Sequence, residues 1–450
     1  MPFELTYELI QTLKDAIQTN DAALIKRESG DLHAADLSEI FHRLEPEESI
    51  VVLKLLTTEQ GAEVLMHLDQ DYRKRFLKEL STEEIACYLN IIDSDDGVDI
   101  LNQLGVKRRE EVLLLITNQE KASYIVDLLH YEPDCAGGLM AKELVKANIN
   151  WTINQCIDEV RRQSRIVEKI YSIYVVDNND RLLGVVALPS LLLSDGNMLV
   201  ADVYNPDIIL VETYREADEV ARIMQKYDLE SIPVVNVQGK LAGRITIDDV
   251  IDVITEMAEL ERQMMAGISE SIEEDASIWA LSKSRLPWLI VGMTGGMLGA
   301  WFMGLFEENI KMIPAMAFFI PLITATGGNV GIQSSSIVVQ SLAGREDLDA
   351  FNLGRMLKGL LVALLNGLAI SLLVFTFNAI VGQDMRLAFV VSLALLSVVL
   401  IASFFGTVTP LVLDRIGINP ALASGPFITT TNDLIGLAIY FIVAHSLLNF

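Results

Sequence analysis

Cysteine, histidine and basic residues are the scarce chemistries of this chain. Its 450 residues hold 3 cysteines and 5 histidines. Cys87, Cys135 and Cys156 show no ligand spacing and all precede the hydrophobic part. They read as reduced packing residues of a cytosolic segment. The scattered histidines suggest no zinc site. Lys and Arg number 34 against 61 Asp and Glu, a formal net charge of −27. From Leu286 onward eight acidic and six basic residues leave only −2, so the first 285 residues carry −25. Phosphate binding needs Lys and Arg, so nucleic acid is not expected as a partner, and divalent cations are. The start, Met1-Pro2-Phe3-Glu4, lacks a basic stretch followed by an apolar one, and no signal peptide is expected. A Walker loop is missing, which disfavours direct ATP-driven pumping. No catalytic constellation stands out, and no enzyme is expected.

What is present begins with a repeat. Apolar residues recur every twelve positions at Leu44, Leu56, Leu68, Leu80, Ile92, Leu104 and Ile116. A second series runs three residues earlier, at Leu53, Leu65, Leu77, Leu89, Leu101 and Leu113. Between them lie helix-start signals, Thr57-Thr58-Glu59-Gln60 and Ser81-Thr82-Glu83-Glu84, which fit capping boxes. Each unit is a short helix with one apolar face, too short to stand alone in water. Stacked neighbours bury a continuous core, which predicts a solenoid-like helical domain over residues 1–130.

A different repeat follows. The run from Tyr171-Ser172-Ile173-Tyr174-Val175-Val176-Asp177 to Leu193 aligns without a gap, at an offset of 59, with the run from Glu230-Ser231-Ile232-Pro233-Val234-Val235-Asn236 to Asp252. Each copy reads strand, turn, strand, helix, with a helix upstream at Cys156–Gln163 and Asp218–Lys226. The pair resembles tandem CBS domains (cystathionine β-synthase type) over residues 138–253. That resemblance implies an α/β fold. It also implies a ribose-binding Asp in a Gly-x-hydrophobic-Ser/Thr-x-x-Asp motif. Gly243-Arg244-Ile245-Thr246-Ile247-Asp248-Asp249 fits, but the first copy has Ala187 and Ser190 at the Thr and Asp positions. Adenine nucleotide binding at the pair is therefore doubtful.

The last part is apolar. Five stretches, at 286–306, 312–341, 356–381, 387–412 and 421–448, each reach the roughly 20 residues needed to span a bilayer. Lys283, Arg285, Arg345, Arg355, Lys358 and Arg415 fall on one side, and only Lys311 and Arg386 on the other. The basic side is cytosolic, which places the N-terminus inside and the C-terminus outside.

Polar residues within these stretches carry the chemistry. Asp433 lies at the centre of the fifth, in Thr429-Thr430-Thr431-Asn432-Asp433, with no basic residue in that stretch to pair with it. A carboxylate at that depth costs ~2.5–3.5 kcal/mol even by the lower scale, so it must meet water, a partner or an ion. Thr429, Asn432, Asp433, Gly436 and Tyr440 follow i, i+3, i+4, i+7, i+11 and are expected on one helix face. The entry to that helix, from Asn419-Pro420 to Gly425-Pro426, offers free carbonyls. The second stretch contains Pro321-Leu322-Ile323-Thr324-Ala325-Thr326-Gly327-Gly328-Asn329-Val330-Gly331-Ile332-Gln333-Ser334-Ser335-Ser336. Such a run makes a poor lipid-facing helix. Broken backbone lining a water-filled cavity is one reading. Close packing through small residues is the other, and it suits Gly292, Gly295, Gly296 and Gly299 of the first stretch better than Asn329 and Gln333. Oxygen-only donors suit Mg2+ or Ca2+.

Residues Pro321–Ser336, with Thr431-Asn432-Asp433-Leu434-Ile435-Gly436-Leu437-Ala438-Ile439-Tyr440, resemble the MgtE family of magnesium channels. The order of parts is also similar: helical N domain, CBS pair, connecting (plug) helix at 254–280, and an all-α five-span pore domain at 286–450. The resemblance implies a homodimer in the inner membrane with the pore on its two-fold axis, lined by spans two and five. Asp433 matches the pore carboxylate, whose two copies hold a largely hydrated Mg2+. Thr429, Asn432, Asn329, Gln333 and Asn419 are the expected pore-lining set. Mg2+ sites between cytosolic domains, favouring the closed state, are implied as well. The acidic face Asp249, Asp252, Glu256 and Glu259, at i, i+3, i+7, i+10, fits them, with Asp218, Asp228 and Glu261 as additional candidates. Asn419 and Cys87 stand where the family carries acids. The expected function is a Mg2+ channel closed by cytosolic Mg2+. An ion-coupled secondary transporter with Asp433 as the coupling carboxylate is the rival within transport. A non-conducting membrane sensor is the rival from another class. Selectivity among Mg2+, Mn2+, Co2+ and Ni2+ is not legible in the sequence.

Overall fold

The structure, a computed structural model, describes residues 5–163, 170, 172–269, 277–343, 353–382, 384–423 and 425–448. Residues 270–276 of the expected connecting helix, Tyr171 of the first repeat run and Arg345 between the second and third stretches lie outside the described set. The chain forms two compact units, Met1–Ile254 and Thr255–Phe450.

The first unit opens with ten helices between Tyr7 and Leu128. The capping boxes expected at Thr57 and Ser81 are made, with Gln60 and Glu84 as their reciprocal partners. Both twelve-residue series face the interior. Leu53, Leu65, Leu77, Leu89 and Leu101 sit in the last turns of their helices, each at most 1% exposed. Three residues on, Leu44, Leu68, Leu80, Ile92, Leu104 and Ile116 fold back into the core as each helix ends. Leu56 and Leu113 are half-buried. The first two helices, Tyr7–Gln18 and Ala22–Ser29, pack on each other, and most later ones pack on the helix two places along. Ala34–Phe41 meets Thr58–His67, Thr58–His67 meets Thr82–Leu89, and Pro46–Leu53 meets Gln70–Glu79. Two rows of helices thus bury one core between them.

The two repeats follow. The first sheet is β1 (Val145–Asn148), β2 (Ile173–Val176) and β3 (Leu182–Val186). The second is β4 (Val211–Glu212), β5 (Ser231–Val235) and β6 (Leu241–Thr246). In each, the first strand pairs parallel to the second and the second antiparallel to the third. The parallel pairs need crossovers, supplied by the helices Ile153–Gln163 and Ala217–Lys226. Strands β1 and β4 extend the strand–strand–helix reading of the sequence; at four and two residues they are too short to show alternation. Tyr174, Leu182 and Val235 join the two sheets, and the Tyr174 hydroxyl lies 3.3 Å from the Ser231 hydroxyl. The second repeat ends in the helix Ile247–Met265.

Among the described residues of the second unit, five helices are long and apolar enough to cross a membrane: TM1 (Ile278–Gly304), TM2 (Pro314–Leu342), TM3 (Met356–Val381), TM4 (Met385–Arg415) and TM5 (Pro420–Leu448). TM4 is central, packed against TM2, TM3 and TM5, while TM1 lies on TM5. The Pro321–Ser336 run is continuous helix, which corrects the expectation of broken backbone there. Its glycines serve close approach instead. A Cβ on Gly331 would overlap the Asn432 side chain of TM5, and Gly406 of TM4 lies against the Gly331 carbonyl. The break comes earlier, in a 3-10 turn at Pro314–Phe319, where the Tyr440 hydroxyl donates to the Met316 carbonyl at 3.0 Å. Of Gly292, Gly295, Gly296 and Gly299 on TM1, Gly295 packs against Thr430 and Gly299 against Leu434 and Leu437, while the other two meet open space.

The twelve-residue spacing sets an energetic contrast. Leu77→Ala removes a side chain that is 1% exposed and should lower stability by about 2–5 kcal/mol. Leu114→Ala, at 86% exposed, should stay within about 0.5 kcal/mol. Thermal unfolding of the two variants checks this, and equal losses would refute the assignment of the buried face.

Candidate functional site

Asp433 lies on TM5 where TM2 offers no side chain. A Cβ added to Gly328 would stand 3.1 Å from the Thr429 methyl and 3.5 Å from the Asp433 carboxylate. Gly328 therefore lets the TM2 backbone approach the acid, while its neighbour Gly327 lies against Val398 of TM4. The polar stripe expected on one face of TM5 divides. Thr429 and Asp433 keep partial exposure, whereas Asn432, Gly436 and Tyr440 are buried toward TM2 and TM4. Asn432 is 1% exposed and both its amide atoms lack a hydrogen-bond partner. Within this unit its side chain turns onto Gly331 of TM2, about 100° around the helix from Asp433. On TM2, Pro321, Ala325, Asn329 and Gln333 form an exposed row at successive turns. Asn419 is exposed at the entry to TM5, where its carbonyl oxygen Oδ1 accepts from the Ala421 N–H at 2.9 Å and its Nδ2 lies 3.4 Å from the Met264 sulfur. The turn Met265–Gly267 presses on Gly425 and Pro426, which seats the end of the helix Ile247–Met265 on the entry to TM5.

The second concentration of charge is a seam in the first unit. The helix Ser94–Asn102 carries Asp95, Asp96 and Asp99, and they face Asp249 and Asp252 of the helix that ends the second repeat. The seam is anchored by Glu143, which is 3% exposed. Its Oε2 accepts from the Ser94 N–H at 3.2 Å and from the Ser94 hydroxyl at 2.6 Å, and Lys121 Nζ stands 3.9 Å from its Oε1. A carboxylate at the start of that helix is favoured by the free N–H groups there. Asp249 accepts from the Thr246 N–H at 3.1 Å and from the Thr246 hydroxyl at 2.6 Å. The Asp of the nucleotide-type motif is thus turned toward its own Thr and the helical domain.

These carboxylates are enclosed by protein yet keep an edge toward solvent. Asp95, Asp96 and Asp249 are partly exposed, and Asp99 and Asp252 lie at the rim. Burial, then the charges of Asp249, Asp96 and Asp93, pushes Asp95 well above the ordinary carboxylate range. Burial with Asp249, Asp93 and Asp99 pushes Asp96 up to about 8, with Arg73 opposing. Burial raises Asp249 to about 6 against its bonds from Thr246. Asp99 and Asp252 are also raised by burial, and Arg73 draws both back. The seam is short of positive charge. Among the described residues no three His, Cys, Asp or Glu side chains converge to hold a bare ion. The oxygen donors and the open edge suit a divalent ion that keeps several of its waters, as Mg2+ does.

The other candidates are placed as follows. Glu256 and Glu259 are exposed on the same helix as Asp249, and Glu261 is half-buried. Asp218 pairs with Arg222 at 2.8 Å. Asp228 is exposed just past the helix Ala217–Lys226, with a positive φ of 50°. Asp95, Asp96, Asp99 and Glu143 were not singled out in the sequence. The one available signal was the acidic run Asp93-Ser94-Asp95-Asp96 at a helix start, which is also what an ordinary cap looks like.

A soluble acidic unit with paired α/β repeats, followed by five apolar helices holding one carboxylate at mid-span, defines a multi-pass divalent-cation transport protein. Comparison narrows the class. A family described as a divalent cation transporter, MgtE, matches residues 320–443. The MgtE intracellular N domain matches 32–134, and CBS domains match 136–193 and 200–256. A magnesium transporter MgtE of Thermus thermophilus is 33% identical over 446 residues, covering 98% of this chain and 99% of the relative. One of Enterococcus faecalis is 35% identical over 332 residues, 74% of this chain and 73% of the relative. A solved structure of the cytosolic domain of the Mg2+ channel MgtE in complex with ATP aligns with a TM-score of 0.51 at 34% identity, over 54% of this chain and 99% of that one. The chain belongs to the MgtE family.

The raised acids predict a pH dependence. Groups whose values rise on closing the seam bind protons as it closes, so without metal the closed seam is most stable below the ordinary value of 3.8. That stability declines with rising pH until Asp249 ionises near 6 and Asp96 near 8. Limited proteolysis in chelator should therefore cut the full chain faster at about pH 8 than at about pH 5, relative to a protease control substrate. Mg2+ should protect more at the higher pH. Equal cutting at both would contradict the shared field.

Proposed function

We propose that the chain conducts Mg2+ across the cell membrane and is closed by Mg2+ on its cytosolic side. The observation that carries this reading is Asp433 beside Gly328, next to the open amide row of TM2. Amide side chains facing lipid are costly. Asn329 and Gln333 therefore need another surface, and a second copy across a two-fold axis supplies an identical one. Two Asp433 carboxylates then face one ion, with Thr429, Asn329 and Gln333 lining the path and Asn419 at its mouth. In this reading Asn432 supports the TM2–TM5 contact. Exposed Leu192 and Leu193 on the first repeat, at 69% and 88%, favour the same homodimer in the soluble part. The basic residues before TM1 support a cytosolic location for that part and an outside C-terminus.

Residues 254–280 act in this reading as the connecting element, since the end of the helix Ile247–Met265 rests on the entry to TM5. Asp249 and Asp252, joined by Asp95, Asp96 and Asp99, are the primary sensor. Glu256, Glu259 and Glu261 extend it along the same helix, and Asp218 and Asp228 are secondary. Mg2+ rather than a nucleotide is the proposed ligand. Ser190 replaces one ribose-type Asp, and Asp249, the other, is engaged at the seam.

Asp433→Asn keeps size and removes charge, and Asp433→Ala removes the oxygens as well. Both should abolish or strongly reduce Mg2+ flux into reconstituted vesicles while the protein still assembles, because the charge supplies most of the ion's attraction in a low-dielectric path. Flux at the native level from Asp433→Ala would overturn the pore assignment.

A further inference from the structure

A cavity of about 820 Å3 opens within the first unit, lined by the helical domain and by the edge strand β1 of the first repeat. Sites for small molecules commonly measure ~300–1,000 Å3. Ser190, Thr246 and Asp249 do not line it, so it is distinct from both nucleotide-type motifs. Four cations do: Lys121 from the helix Gln119–Leu128, Lys142 just before β1, Lys146 on β1, and Arg162 near the end of the helix Ile153–Gln163. Four acids, Asp93, Glu120, Glu143 and Glu159, line it as well. In a segment with a net charge of −25, that local balance sets the cavity apart.

Two of the cations are held by acids that lie outside it. Lys142 pairs with Asp127, and Lys146 with Asp180 at 3.1 Å, and neither acid lines the cavity. Both acids are more than half exposed, and pairs so placed hold weakly. An anion in the cavity can therefore draw both ammonium groups. Arg162 is paired with Glu159 of its own helix, and Lys121 donates to the Ile91 carbonyl at 2.9 Å. Of the acids, Glu120 accepts from the Tyr124 hydroxyl at 2.8 Å. Glu143 differs, being 3% exposed. Ser94 donates to its Oε2, but its Oε1 receives no hydrogen bond, and the Lys121 ammonium stands 3.9 Å from it. A buried carboxylate oxygen without a donor is costly, and a ligand hydroxyl would supply one. The half-buried Trp151 adds an aromatic wall.

We propose that this cavity is a site for a small polyhydroxylated phosphate monoester, of the size and chemistry of a sugar phosphate. Lys142, Lys146 and Arg162 serve the phosphate dianion, Glu143 Oε1 accepts from a hydroxyl, and Trp151 walls the carbon chain. Inorganic phosphate would leave most of the space unfilled, and an uncharged sugar would leave the cations unused. The ligand would touch both the helical domain and the first repeat, so its binding ties the two together. The site needs no metal, and the proposal does not rest on the reading of the acidic seam.

The test uses the purified full chain in chelator. With Trp279→Phe, Trp288→Phe and Trp301→Phe, Trp151 is the one tryptophan left, and its emission reads the cavity directly. Glucose 6-phosphate, fructose 6-phosphate and glycerol 3-phosphate are titrated, with inorganic phosphate, sulfate and glucose alongside. At least one ester should give a saturable change at a concentration about tenfold or more below that needed by phosphate, sulfate or glucose. Lys146→Ala with Arg162→Ala, both at exposed positions, should raise that ester's midpoint about tenfold or more. Glu143→Gln should weaken the ester more than it weakens inorganic phosphate, and Asp249→Asn should leave the midpoint where it was. Equilibrium dialysis of the native chain against the same esters carries the test if the tryptophan variant does not fold, and the Lys146 and Arg162 variant carries it if Glu143→Gln does not. The proposal is overturned if none of the three esters saturates or if phosphate or sulfate binds as tightly as they do. It is equally overturned if the Lys146 and Arg162 variant keeps the native midpoint, if Glu143→Gln weakens ester and phosphate alike, or if Asp249→Asn abolishes binding.

Discussion

Repulsion between carboxylates held on two different elements is the constraint on which this account turns. Asp95 and Asp96 start one helix, Asp249 and Asp252 lie on another, and Glu143 fixes the first against the segment that leads into the repeats. Protein encloses the acids enough to raise them, and solvent reaches them enough to deliver an ion. Hydrophobic packing alone would make such a seam permanent. Charge makes it conditional, because the same contact is unfavourable without cations and favourable with them. The coupling available to a gate is bounded by how much more tightly Mg2+ binds the closed seam than the open one.

The membrane unit meets the same problem with different means. Asp433 has no basic partner in its span, and the structure answers by thinning the neighbouring helix to backbone at Gly328. Small residues recur wherever TM5 touches another span: Gly295 on TM1, Gly331 on TM2 and Gly436 on TM5 itself. Close approach brings the TM2 backbone near the acid without adding side-chain bulk. Within the second unit, Met265–Gly267 is seated on Gly425 and Pro426 at the entry to TM5.

Much of this was legible in the sequence, for physical reasons that differ by element. The twelve-residue spacing survived because each helix and turn reuses the same two buried positions, so period and burial coincide. The spans were legible from length and hydropathy alone. Strands β1 and β4 were not, since four and two residues carry no period. The continuous helix of TM2 was misjudged because glycine signals both flexibility and close packing, and only the partner helix decides between them. Thr429, Asn432 and Asp433 looked like one face because helical spacing pools a broad arc. Packing against TM2 split that arc and took Asn432 inward, onto Gly331. Asp95, Asp96 and Asp99 were hidden by distance along the chain. On their own helix they resemble an ordinary acidic first turn, and only the fold brings them to Asp249.

The central claim is that cytosolic Mg2+ closes a path whose ion site is Asp433. Current through the purified full chain in a planar bilayer, recorded while Mg2+ on the side of the soluble unit is lowered stepwise from millimolar levels, tests it most directly. The account predicts channel-sized Mg2+ currents that appear as that concentration falls and vanish as it is restored. Currents indifferent to Mg2+ on that side, or Mg2+ transport only at the slow rate of a coupled carrier, would contradict it.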